Sequence, residues 1–205
     1  MNSDTNIHAL MRTLREKLVI NDGRLIVTIS GPSGSGKTTV VHQLTAALGE
    51  PIALLHTDDY YIGKTRMQTE MPSGETLNFD HPASLELTRL AQDITKLRDG
   101  ATIESPIYDM AVSEPTSNTR TIHPAQVIMV EGIAANIDEI RMLSDISIYV
   151  TAPVEVRLQR CIQRDAIRNL RSESEVRQHF ETNVVPSYEK YFQIADANAD
   201  FTLES

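Results

Sequence analysis

Apolar side chains along this chain recur in two rhythms. Near the amino terminus Ile7, Leu10, Met11, Leu14 and Leu18 return at helical spacing, with Arg12, Arg15 and Lys17 between them. That pattern predicts an amphipathic helix within residues 1–22, opened by Ser3 or Asp4. Elsewhere short unbroken apolar runs alternate with helical stretches. "RLIVTIS", "PIALLHTDD", "QVIMVEG" and "DISIYVTA" have the length of buried strands. "GKTTVVHQLTAALG", "SLELTRLAQDITKLRDG" and "PVEVRLQRCIQRDAIRNL" have the helical period, the last with Pro153 in its first turn. "ESEVRQHFETNVVPSYEKYF" reads as a helix broken near Pro186, and "ADFTL" as a last strand. "ATIESPIYD" and "SNTRTIHP" suggest two short strands around an irregular tip. Tyr60 to Asn78, with Gly63, Pro72 and Gly74, reads as a loop over the site. Strands alternating with helices predict an α/β fold, a parallel sheet with helices on both faces.

Composition narrows the class. The 205 residues suit one domain, and 40% hydrophobic with 23% charged residues is ordinary for a globular protein. A net charge of −9 argues against a broad nucleic-acid surface, though not against a local phosphate pocket. Cys161 is the only cysteine, so no intrachain disulfide can form. No apolar run approaches the roughly 18 residues of a membrane span, and the first residues lack the apolar core of a secretory signal. A cytoplasmic protein without nucleic-acid or membrane partners is expected.

The chemistry enters between the first core strand and its helix. Gly31-Pro32-Ser33-Gly34-Ser35-Gly36-Lys37-Thr38 fits G-x-x-x-x-G-K-[ST]. A polyphosphate must be wrapped by backbone N–H groups, and side chains at the turning points would block its approach. The helix adds its positive end. Lys37 can reach the β- and γ-phosphates, Thr38 can ligate Mg²⁺, and Thr39 offers a further hydroxyl. ATP and Mg²⁺ are the expected cofactors.

Phosphoryl transfer also needs carboxylates, and open sheets present ligands at their strands' carboxyl ends. Asp58 and Asp59 follow "IALLHT", Glu131 follows "VIMV", and Asp80 lies in "NFDHP". Glu131 fits the acid that serves the metal, directly or through water. Asp58 or Asp59 fits the base for an acceptor hydroxyl, with Asp58 preferred because a strand neighbour points to the opposite face. Arg157, Arg160, Arg164, Arg168 and Arg171 make one helical stripe, with Leu158 and Ile162 off it. Arg164 and Arg171 are read as phosphate contacts on a closing lid near residues 157–175. Arg157 and Arg168 are read as a solvated basic face.

Taken in order, "GPSGSGKTT", "DDYY", "NFDHP", "PIYD", "VEGI" and "RLQRCIQRD" resemble the uridine kinase family, within the wider group that holds phosphoribulokinase and bacterial pantothenate kinase. The resemblance runs from about Arg24 to Phe201. It implies a P-loop kinase with a five-stranded parallel core, a small β-hairpin at the acceptor site and an arginine-bearing lid. By that resemblance Asp58 is the base, Tyr61 and Asp80 hold the acceptor sugar, Tyr108 lines the base pocket, Glu131 serves the metal, and Arg164 and Arg171 contact ATP or the acceptor. The family often forms tetramers, so a homo-oligomer is a further expectation.

The chain departs from the family pattern at the pyrimidine reader. Met110 follows Tyr108-Asp109 where phenylalanine is typical, and Ser113 stands near the expected histidine. Cys161 and Asn169 stand at expected arginines, and His179 at an expected glutamine. The leading expectation is an ATP-dependent kinase of a small alcohol, uridine or cytidine first and a sugar phosphate, pantothenate or glycerate next. A nucleotide-hydrolysing switch is the reading from another class; the guanine-reading N-K-x-D of a GTPase is missing from the sequence.

Overall fold

The computed structural model describes residues 3–20, 23–75, 77–167 and 172–205. Arg168, Asn169 and Arg171, and with them half of the expected lid contacts, lie outside the described residues. The chain opens with helix α1 (Ser3–Ile20), strand β1 (Leu25–Ser30), helix α2 (Lys37–Leu48) and strand β2 (Ile52–His56). A 3₁₀ turn (Thr57–Tyr60), helix α3 (Lys64–Glu70) and helix α4 (Leu87–Arg98) lead to β3 (Ile103–Asp109) and β4 (Glu114–Ile122). Then come β5 (Val127–Glu131), the single turn α5 (Asp138–Arg141), β6 (Ile146–Thr151) and α6 (Val154–Ile167). Helices α7 (Glu173–His179), α8 (Val185–Tyr191) and α9 (Gln193–Ala197) precede β7 (Phe201–Glu204).

Five strands pair in the order β2-β5-β1-β6-β7, every pair parallel. β1 sits at the centre and is buried along its whole length. Its side chains alternate between two cores, which is why it reads as an unbroken apolar run rather than an alternating one. Leu25, Val27 and Ile29 face α1 and α2 through Leu10, Leu14, Val41 and Leu44. Ile26 faces the opposite core, with Ile128 and Val130 of β5 against Leu90, Ile94 and Leu97 of α4. The antiparallel hairpin β3–β4 stands apart from this sheet, as the resemblance implied. It is tied to the second core by Ile103 and Ile122.

Three expectations are corrected. The segment after Tyr60 is not all loop: Lys64–Glu70 is helical, with Met67 buried beneath it. A single buried anchor in a polar stretch leaves too little periodicity to read. Second, the helix does not break at Pro186. The chain instead widens into a π turn over Phe180–Val184, and Pro186 sits in the first turn of α8. Proline lacks a backbone donor and crowds the preceding turn; a wider turn immediately before it removes both conflicts without ending the helix. Third, Arg157 is not on a solvated face. It is 5% exposed, with its guanidinium 5.5 Å over the Phe180 ring, because α7 and the π turn pack across that side of α6.

Candidate active site

The carboxyl ends of β1, β2 and β5 share one cleft of about 670 Å³. β2 and β5 run in register with His56 opposite Glu131. The chain leaves β5 through Gly132, where a Cβ would lie 1.8 Å from Thr57 Oγ1. Only glycine lets the two strand ends close to this distance.

The loop between β1 and α2 forms one wall. A Cβ on Gly34 would sit 2.5 Å from the carbonyl oxygen of Arg157, so the loop lies directly against the α6 backbone. Lys37 Nζ donates to the carbonyls of Gly31 at 2.9 Å and Pro32 at 3.3 Å. Burial lowers the Lys37 pKa from its ordinary value, more than the charges of Glu131 and Asp58 raise it. Ser35 is fully buried and its Oγ has no hydrogen-bond partner among the described residues. A turn that excludes side chains, a lysine resting on loop carbonyls and an unpaired buried hydroxyl make a donor-rich cup that fits a polyphosphate. Gly31, Ser33, Gly34, Ser35, Gly36, Lys37, Thr38 and Thr39 all belong to this turn or to the first turn of α2.

Glu131 faces the cup. Its Oε1 accepts from Thr38 Oγ1 at 2.9 Å, and its Oε2 pairs with His56 Nδ1 at 2.9 Å. Burial pushes the carboxyl upward, but the bonds from His56 and Thr38 and the charge of Lys37 outweigh it. The group is held below the usual carboxylate range. Among the described residues no cluster of three or more His, Cys, Asp or Glu could hold a metal alone. The hard oxygens of Thr38 and Glu131 suit Mg²⁺, which keeps water and substrate phosphates in its shell rather than an all-protein cage.

Asp58 and Asp59 lie on the 3₁₀ turn after β2, not on the strand, and both line the cleft. The expected opposition of faces therefore does not hold. Asp59 pairs with Arg120 of β4 at 2.9 Å and so ties the hairpin to the turn. Asp58 is reached by solvent from the cleft but walled by protein elsewhere. This enclosure pushes its carboxyl above the usual range, against the pull of Lys37. Beyond Asp58 the cleft continues into a second lobe of about 340 Å³. Tyr61, Asp80 and Tyr108 line both lobes. The Tyr61 ring lies 5.7 Å from Phe79 and 5.3 Å from Tyr108. Tyr108 is 8% exposed, and burial pushes its hydroxyl up to about 12.

Arg164 closes the cleft from α6. Its Nη1 donates to Ser33 Oγ at 3.2 Å and its Nε to Asp165 at 2.8 Å. Arg160, one turn earlier, donates to the carbonyl of Gly34 at 3.2 Å.

The chain is similar to known proteins. The model of the "Phosphoribulokinase / Uridine kinase family" matches residues 26–205. A uridine kinase of Limosilactobacillus reuteri (strain DSM 20016) is 32% identical over 185 residues, 89% of this chain and 84% of that protein. One from Ligilactobacillus salivarius (strain UCC118) is 34% identical over 183 residues, 87% of this chain and 84% of that protein. The chain belongs to the phosphoribulokinase/uridine kinase family. It is therefore a P-loop kinase, a phosphotransferase of a family that uses ATP and Mg²⁺ in general. A putative fructose transport system kinase from Silicibacter sp. TM1040 shares its fold, with a TM-score of 0.77 at 22% identity over 95% of this chain and 97% of that one. Among the described residues no helix is long and apolar enough to cross a membrane.

Several residues of this kinase's cleft carry no role in the sequence reading, or were noted there only as members of the arginine stripe or as departures from the family pattern. His56 gives no local signal, because its partner lies 75 positions away. Arg160 was visible in the arginine stripe, but its aim at Gly34 depends on how α6 meets the loop. Cys161 lies 3.5 Å from Ser33 Oγ and lines both lobes. Met110 reaches both lobes, while Ser113, His179 and Val176 line the inner one. Among the described residues, the positions that depart from the family pattern, Met110, Ser113, Cys161 and His179, all line the inner lobe.

Proposed function

We propose that the protein transfers the γ-phosphoryl of ATP to a hydroxyl of a small acceptor, with the 5′-hydroxyl of uridine or cytidine as the first candidate. The observation that carries this reading is the position of Asp58, which lines both the lobe that holds Lys37 and the inner lobe that holds Val176, His179 and Phe180. A base must meet the attacking oxygen between nucleotide and acceptor. Asp58 accepts the proton of the acceptor hydroxyl as that oxygen attacks. Its raised pKa brings it nearer the working pH and makes it a stronger base than an ordinary carboxylate. Gly31, Ser33, Gly34, Ser35 and Gly36 wrap the phosphates with Thr39 beside them, Lys37 exchanges its loop carbonyls for phosphate oxygens, and Arg164 and Arg160 approach from α6. Thr38 and Glu131 hold Mg²⁺, which when bound offsets charge on the phosphates. Tyr61 and Asp80 hold the acceptor and Tyr108 walls its far end. Arg171 is kept as a lid contact on the resemblance alone.

A different small alcohol is favoured by one observation. Met110 and Ser113 line the inner lobe, where the family resemblance leads to the expectation of a phenylalanine and a histidine that read a pyrimidine. Acceptor-stimulated ADP release over uridine, cytidine, ribulose 5-phosphate, pantothenate and glycerate decides between them. Release without any acceptor would instead mean a hydrolysing switch. Asp58→Asn should keep ATP affinity near wild type while turnover falls at least about a hundredfold. Near-normal turnover removes Asp58 from the role.

A further inference from the structure

Glu131 is held by two donors from two different elements. Thr38 comes from the first turn of α2, and His56 from the end of β2. The two bonds take one carboxylate oxygen each, which fixes both the tilt and the rotation of the group. A hydroxyl has one proton and two lone pairs, so Thr38 can keep donating to Glu131 while it offers a lone pair to a cation. The imidazole has no such second task on this side. Glu131 is an acceptor only, so the 2.9 Å contact requires Nδ1 to carry the proton.

We infer that His56 is a positioning residue for the metal side of the site: its Nδ1–H orients Glu131 so that the carboxylate and Thr38 present their oxygens together to Mg²⁺. The inference rests on the metal role proposed for Glu131 and adds what aims it. Three features of the fold support it. The parallel register sets His56 and Glu131 side by side, with both side chains on one face of the sheet. Gly132 lets Thr57 close against the end of β5, so the pair is held by backbone as well as by side chains. His56 itself lines the cleft with 34% of its side chain exposed, so its place is not explained by filling a core. Asp58, Asp59 and Arg120 are further charged groups that act on it, and Asp59 and Arg120 pair with each other at 2.9 Å. Partners that orient a ligand from behind in this way change metal affinity by about 10–100-fold when removed.

The test measures binding rather than turnover. The affinity for the β,γ-imido analogue of ATP is followed by calorimetry in EDTA and across a Mg²⁺ titration. His56→Phe keeps a ring and loses the donor; His56→Ala serves if the phenylalanine disturbs folding. Either should raise the half-saturating Mg²⁺ concentration about tenfold while affinity in EDTA stays within about twofold. His56→Asn, whose amide can present an N–H near the place of Nδ1, should return the Mg²⁺ dependence most of the way. An unchanged Mg²⁺ requirement in the donor-less variants would overturn the inference. So would an equal loss of affinity with and without Mg²⁺, which marks a merely structural role, or a failure of asparagine to rescue. Glu131→Gln separates this inference from the reading beneath it. If it shifts the Mg²⁺ requirement and His56→Phe does not, only the His56 role falls. If Glu131→Gln itself has no effect, the metal assignment falls, and the role of His56 with it.

Discussion

At Asp58 enclosure by the cleft walls holds the carboxyl's pKa above its ordinary value, and the direction of that shift has a consequence for stability. The unfolded chain ionises Asp58 more readily than the folded one does, so stability falls as pH rises from the unfolded value through the folded one. At neutral pH the carboxylate therefore works against folding. Asp58→Asn should raise the melting temperature at pH 7 even as turnover falls at least about a hundredfold, and the difference should shrink at about pH 3, where the carboxyl is largely protonated in both folded and unfolded chains. Scanning calorimetry at the two pH values checks this; a lower melting temperature at pH 7 would contradict it. At Gly132 the effect is steric. With φ at 149° and a Cβ 1.8 Å from Thr57 Oγ1, Gly132→Ala forces the ends of β2 and β5 apart. It should destabilise by about 1–3 kcal/mol in urea denaturation, with a loss of Mg²⁺-dependent nucleotide affinity.

Among the elements, helices that carry one clean apolar stripe were readable, and those shaped by their neighbours were not. The α1 stripe sends Leu10 and Leu14 fully into the first core, as the spacing of apolar residues predicts. Leu14→Ala should therefore cost about 2–5 kcal/mol of stability, measured by the urea midpoint at unchanged slope. α6 shows the converse. Leu158 and Ile162 pack into a small cluster with Cys161, Val176 and Phe180, as their place off the arginine stripe suggests. Within the stripe the reading of Arg157 as solvated is corrected, because the stripe's arginines meet different neighbours. Arg157 is covered by Phe180, Arg160 meets Gly34, and Arg164 meets Ser33. A periodic pattern reports which residues share a face, not what the rest of the chain lays against it.

Across the whole molecule, contacts remote in sequence tie the segment before Phe79 and Asp80 to α8. Glu75, just after α3, accepts from Lys190 at 2.7 Å and from Tyr191 of α8, and also from Asn78. The bond from Lys190, with those from Tyr191 and Asn78, lowers the Glu75 pKa to about 2. A depressed carboxylate stabilises the fold above its unfolded pKa and loses that contribution as pH falls through the folded value. Glu75→Gln should therefore be less stable than wild type at neutral pH, with the gap closing as pH falls from the usual carboxylate range toward about 2. Acid titration followed by circular dichroism reads this directly; a gap that persists unchanged in acid would rule the charge out as the cause. Because the pair is near the surface, added salt should narrow the gap as well.

By itself the sequence determined the α/β class, the order of most elements, the phosphate-binding turn and the edge of the sheet where carboxylates gather. Each of these is written in neighbouring residues: apolar period sets helix or strand, and glycines with Lys37 and Thr38 set the turn. Tertiary structure alone decided that His56 meets Glu131, that Asp59 meets Arg120, that Arg157 is buried, and that Met110, Val176 and Phe180 wall one end of the cleft. Those pairings join positions tens of residues apart. They follow from strand register and from how helices lie across one another, which no local pattern of side chains encodes.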